Sequence, residues 1–112
     1  SSKLIKNNQN RAKFVDTAVE CLLELMMKMN AQKERIIAKI AGGAQMFSFK
    51  GSASEVLNIG QRNVQATIEV LRQHDIPIVA QDTGGNYGRT IELHAANGIL
   101  VVKTIGHGVK IL

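Results

Sequence analysis

An apolar run that ends in a glycine pair, followed by a helical period and a second apolar run, limits this chain more than any other feature. Ile36, Ala38 and Ile40 fall on one side of residues 34–41 and Arg35, Ile37 and Lys39 on the other, the two-residue period of a strand buried mainly on one face. The run stops at Gly42-Gly43, where two missing Cβ atoms let the backbone take positive φ or let another segment approach closely. Val64, Ile68 and Leu71 then recur at helical spacing, with Asn58 as N-cap, Gln61 in the capping-box position and an end near His74-Asp75. Pro77 lies early in a second strand that continues over residues 78–80, a place where a missing N–H is tolerated. Strand, helix and strand in this order form a right-handed parallel crossover, which makes the chain α/β.

The flanking segments are read the same way. Residues 1–10 are polar, with Asn7, Asn8, Gln9 and Asn10 in a row, and too little apolar area to order themselves, so an arm or loop is expected there. From Arg11 onward Phe14, Ala18, Cys21, Leu22, Leu25 and Met29 recur at steps of three and four, the face of an amphipathic helix that closes at Asn30. Met26 and Met27 widen that face and predict burial on more than one side. Residues 51–55 are small and polar, the end of a loop. The last third is β in character: a glycine-rich turn over 82–88, a strand over 90–95 with Ile91, Leu93 and Ala95 on one face, Asn97-Gly98 as a two-residue hairpin turn, and a return strand over 99–105.

With 112 residues and a 45% hydrophobic share, the expectation is one domain over residues 1–112. No apolar run approaches the roughly 18 residues of a membrane helix, because Lys28, Lys33 and Arg35 interrupt the longest candidate, and no signal-peptide pattern opens the chain. A cytoplasmic protein without membrane insertion is expected. The single cysteine excludes an internal disulfide and a cysteine-rich zinc site. The net charge of +5 suggests an acidic partner, but the basic residues are scattered rather than collected into a block. A small basic nucleic-acid binder is therefore a separate reading resting only on charge and glycine content, and no nucleic-acid partner is assigned. The first residue is Ser1, which fits either trimming of an initiator Met or an upstream portion lying outside this sequence.

Candidate reactive groups are few. A cysteine nucleophile needs a helix N-terminus, a cation or a paired histidine to form its thiolate, and Cys21 lies mid-helix beside Leu22 and Leu25, where core packing is expected. His74, His94 and His107 lie far apart in sequence, so no metal site and no cofactor are expected; His107, framed by Gly106 and Gly108, is the most accessible of the three. The loop from Asp82 to Arg89 sets an acid, a hydroxyl and glycines directly after a strand, a common place for site residues, without the spacing of a phosphate-binding loop. Met46 and Phe47 follow the glycine pair where a surface loop is normally polar, and on pattern alone they read as a cap folded onto the core.

Taken together, Gly42-Gly43-Ala44-Gln45-Met46-Phe47, Asn58-Ile59-Gly60-Gln61-Arg62-Asn63, Asp82-Thr83-Gly84-Gly85-Asn86 and Gly88-Arg89 resemble, in order and spacing, the second half of the CheD family of chemoreceptor glutamine deamidases. Asp16-Thr17-Ala18-Val19 is similar to the helix that precedes them in that family, so the resemblance covers the chain from about Arg11 onward. It implies a layered α/β/β sandwich with mixed sheets, here lacking the N-terminal strands. It also implies hydrolysis of glutamine side chains on the cytoplasmic helical bundle of chemoreceptors, and binding of a CheC-like phosphatase. The family's nucleophilic cysteine lies in a Gly-Ser-Cys segment followed by a histidine. This sequence has no Gly-Ser-Cys and no histidine before His74, and Cys21 matches a helix position. No catalytic residue is therefore assigned, and the chain is expected to be the C-terminal part of such a domain, inactive alone, exposing sheet edges or apolar surface and tending to associate. A non-catalytic interaction module of chemotaxis signalling is the alternative. The resemblance turns the glycine loop and its neighbour into an implied partner or substrate surface comprising Gly42, Gly43, Ala44, Met46, Phe47, Asp82, Thr83, Gly84 and Gly85, with Phe47 as the preferred contact.

Overall fold

The computed structural model describes residues 2–45 and 59–112. Helix α1 (Ser2–Lys28) leads through a 3-10 turn (Lys33–Arg35) into strand β1 (Ala38–Gly42), and helix α2 (Ile59–Gln73) precedes strands β2 (Ile78–Thr83), β3 (Thr90–His94), β4 (Ile99–Thr104) and β5 (Gly108–Ile111). β1 and β2 pair in parallel from Ala38 opposite Ile78 to Gly42 opposite Thr83, while β3, β4 and β5 form a separate antiparallel sheet in that order. Two helices with one parallel and one antiparallel sheet match the expected α/β class, although among the described residues neither sheet is itself mixed.

Helix α1 runs through the polar stretch expected as an arm or loop, starting at Ser2. No glycine or proline interrupts residues 2–28, so once the later turns are packed each further residue adds a hydrogen bond at low cost. The helix closes as expected: Asn30 takes φ 72°, and the Ala31 N–H donates to the Met26 carbonyl at 3.0 Å.

The face that α1 buries is not the one that the apolar spacing picks out. Leu23 is buried and joins Leu71 and Ile76 in the core, with Val19, Ile36, Ala38, Ile40 and Ile78 packed against them. Phe14 (75% exposed), Leu22, Leu25 and Met29 (82% exposed) point away, and Cys21, expected in the core, is exposed. The helix is apolar around much of its circumference, so several stripes satisfy a 3.6-residue period. The side facing α2 and the parallel strands decides which one is covered.

Three boundaries also differ from expectation. Residues 33–35 close a 3-10 turn, with the Ile36 N–H on the Lys33 carbonyl, so β1 begins at Ala38 rather than at residue 34. The β3–β4 connection uses four residues instead of two: only Gly98 has positive φ (75°), its N–H donating to the His94 carbonyl at 2.8 Å, and the Asn97 side chain accepts from the Ile99 N–H. The chain then turns again at Gly106 into β5, a strand the sequence reading lacks. The end of α2 is as expected, with Asp75 at φ 58° and the Ile76 N–H on the Leu71 carbonyl. Asn58, read as its N-cap, lies outside the described residues.

Candidate recognition cleft

The parallel pairing of β1 and β2 brings two glycine turns side by side. Where the strands end, the Gly84 N–H donates to the Gly42 carbonyl at 2.9 Å and the Gln45 N–H to the Gly85 carbonyl at 2.9 Å, so the two chains stay in step beyond the ladder. Gly42, Gly43, Gly84 and Gly85 all take positive φ there. The first turn also lies directly on the start of α2. A Cβ on Gly60 would strike the carbonyl oxygens of Gly43 and Ala44, and one on Gly43 would strike the Val64 side chain. Position 60 therefore needs glycine because two backbones touch, and position 43 because Val64 fills the space and the backbone φ there is positive.

Arg89 holds this edge from behind. Its side chain is 3% exposed and that of Asp82 6%. One terminal nitrogen donates to the Gly84 carbonyl at 2.8 Å and lies 3.4 Å from Asp82 Oδ1; the other reaches the carbonyls of Gly42 at 3.4 Å and Tyr87 at 3.5 Å. The guanidinium carbon sits 4.6 Å from the centre of the Tyr87 ring, which itself stacks on His107 at 3.9 Å. Lys110 of β5 brings a second cation to 3.5 Å from Asp82. Burial pushes the Asp82 carboxyl up, but the hydrogen bond and charge of Arg89, with Lys110 behind them, outweigh it and hold the group below the ordinary aspartate value. Asp82 Oδ2 and Arg89 Nε have no hydrogen-bond partner among the described residues.

A cleft of 410 Å³ opens along this edge between residues 41–44 on one side and Tyr87, Gly88, Arg89 and Ile91 on the other. Its walls are backbone, one aromatic ring, one guanidinium and small apolar groups. Such a lining presents shape and backbone polarity to an incoming chain, and its described part contains no thiol or imidazole to attack or deprotonate it.

Of the residues implied as the partner or substrate surface, Gly42, Gly43, Ala44, Asp82, Thr83, Gly84 and Gly85 come together here. Met46 and Phe47 lie outside the described residues. The sequence reading leaves out Gly60, Tyr87, Arg89 and Lys110. Arg89 had a visible signal, a base closing a glycine-rich loop opened by an acid, and Gly60 stands in one of the blocks that carry the resemblance; Lys110 had none, since its partner is distant in the chain. His107, expected as an accessible turn histidine, is the stacking partner of Tyr87. His94 pairs with Glu92 at 2.6 Å and His74 with Asp16 at 2.7 Å, both away from the cleft.

A family profile described as CheD chemotactic sensory transduction matches residues 1–104. Over 109 residues the chain is 60% identical to a protein of Caldanaerobacter subterraneus subsp. tengcongensis named probable chemoreceptor glutamine deamidase CheD, a match covering 97% of this chain and 67% of that one. A Syntrophomonas wolfei protein of the same name is 51% identical over 112 residues, covering 100% and 69%. A Halalkalibacterium halodurans protein named chemoreceptor glutamine deamidase CheD is 46% identical over 105 residues, covering 94% and 64%. The chain thus spans about two thirds of the length of these relatives.

Proposed function

The chain belongs to the CheD family, and on that premise we propose that it acts in chemotaxis as the recognition part of a chemoreceptor glutamine deamidase. The observation that carries this reading is 60% identity over 97% of the chain to a protein named for that activity. The reaction breaks the C–N bond of a glutamine side-chain amide: a thiolate adds to the carbonyl, an imidazole protonates the departing ammonia, and water opens the thioester to leave glutamate. Cys21 does not serve as that thiolate. It sits mid-helix on α1, exposed and away from a helix N-terminus.

In this reading the chain contributes the edge formed by Gly42, Gly43, Ala44, Asp82, Thr83, Gly84 and Gly85, and Met46 and Phe47, which follow in the sequence, share in binding the partner. The cytoplasmic helical bundle of a chemoreceptor and a CheC-like phosphatase are the partners it receives, which places the protein in the cytoplasm. The described lining of the cleft, backbone with one aromatic ring and one guanidinium, supports recognition of a partner chain as its part in that activity. Among the described residues no helix is long and apolar enough to cross a membrane.

The experiment pairs two measurements on the 112-residue chain. With a receptor cytoplasmic fragment as substrate, no ammonia above the blank is expected; release of ammonia would overturn the recognition-only role. With a CheC-like phosphatase, binding by calorimetry is expected to weaken about 30-fold in Phe47→Glu, the worth of about 2 kcal/mol for an aromatic anchor. Unchanged affinity would remove Phe47 from the interface. Absence of both activity and binding would leave neither the deamidase reading nor its non-catalytic alternative standing.

A further inference from the structure

Away from the cleft, Asp16, Glu20 and His74 each bring a ligand atom to within 4.8 Å of the others. The two carboxylates stand four residues apart on one face of α1, and the imidazole comes from the turn that closes α2. His74 Nε2 lies 2.7 Å from Asp16 Oδ1. Glu20 has no salt-bridge partner among the described residues, although a like charge sits one helical turn away. Carboxylates at this spacing repel, and one imidazole contacting only Asp16 does not relieve Glu20.

We propose that Asp16, Glu20 and His74 form a binding site for a divalent transition-metal ion of the zinc type, which ties α1 to α2. One nitrogen and two oxygen donors suit Zn²⁺ or Co²⁺, with water completing the coordination. Asp16 and His74 are half-buried, and the His74 N–H is held on the Val70 carbonyl, so two ligands are placed by the packed helices. Glu20 is exposed and free to swing the remaining distance to metal-bonding range. Histidine spacing in the sequence hides such a site, since its ligands are of three residue types on two helices.

Titration of the chain with Co²⁺, followed by its visible ligand-field absorption, tests the site, together with the melting temperature in Zn²⁺. Saturable one-to-one binding and a higher melting temperature are expected. His74→Gln and Glu20→Gln should each weaken Co²⁺ by about tenfold or more, and Cys21→Ser should leave it unchanged. The glutamine at 74 keeps a donor for Asp16, and position 20 is exposed, so both variants retain the fold, checked by circular dichroism. No saturable binding, a loss below tenfold in either variant, or loss in Cys21→Ser would overturn the proposal; the last two point to surface histidines or the thiol.

Discussion

Asp82 shows how one residue joins the stability of the chain to the glycine-lined edge proposed for recognition. Its carboxylate is buried between Arg89 and Lys110, and those cations hold its pKa below the ordinary value against the opposing effect of burial. In the unfolded chain the same group titrates near about 3.9. A depressed folded-state pKa means that the folded protein releases this proton more readily, so Asp82 stabilises the fold fully above the unfolded value. That contribution disappears as pH falls through the lower, folded value. Asp82→Asn should therefore be less stable than the parent at neutral pH and flatten the acid limb of the stability curve; chemical denaturation across pH measures both, and a parallel acid limb in the variant would remove Asp82 from this role. The acid itself was legible, since it opens a glycine-rich loop. Its two cations were not: Arg89 reaches it only because the loop closes on itself, and Lys110 only because an unexpected third antiparallel strand brings it 28 positions back.

Among the elements, α2 and the turn after β1 meet through glycine. Gly60 in the first turn of the helix approaches the carbonyls of Gly43 and Ala44 more closely than any side chain allows. Gly60→Ala should cost about 1–3 kcal/mol, the range for forcing extra volume into a packed contact, and should shift the amide signals of residues 42–45. Gly98→Ala is the control: its Cβ would meet nothing within 4 Å, so only the strain of φ 75° remains, about 1 kcal/mol. Equal losses in urea unfolding for the two variants would show that backbone contact does not govern position 60. The elements differ in how far the sequence reveals them. The two helices, the parallel crossover and the glycine turns follow from period and punctuation, which are local. Which side of α1 faces the core does not follow, because Phe14, Leu22 and Leu25 satisfy the helical period as well as Val19 and Leu23 do. The four-residue β3–β4 connection was hidden for a similar reason: Asn97-Gly98 suits a tight turn, yet the register that pairs Leu93 with Leu100 sets the loop length.

Across the whole molecule, apolar side chains remain exposed on both helix and sheet: Phe14, Leu22, Leu25 and Met29 on α1 and its closing turn, and Ile91, Leu93, Val109 and Ile111 on β3 and β5. Faces of this kind associate in water. Light scattering behind size-exclusion should give a mass above the 12.2 kDa of one chain, rising with concentration, and Leu25→Lys should move it toward the monomer. A single monomer peak at every concentration would count against association.

Lys39 links the two sheets on a longer scale. From β1, three residues before Gly42, its ammonium donates to the carbonyls of Gly98 and Leu112, both at 2.7 Å. One side chain thus latches the far corner of the antiparallel sheet to the strand that carries the cleft. Positions 59 and 73 residues away in the chain sit a single hydrogen bond from β1. A change that moves Gly98 or Leu112 therefore acts on β1 through Lys39, although nothing in the order of residues makes these positions neighbours.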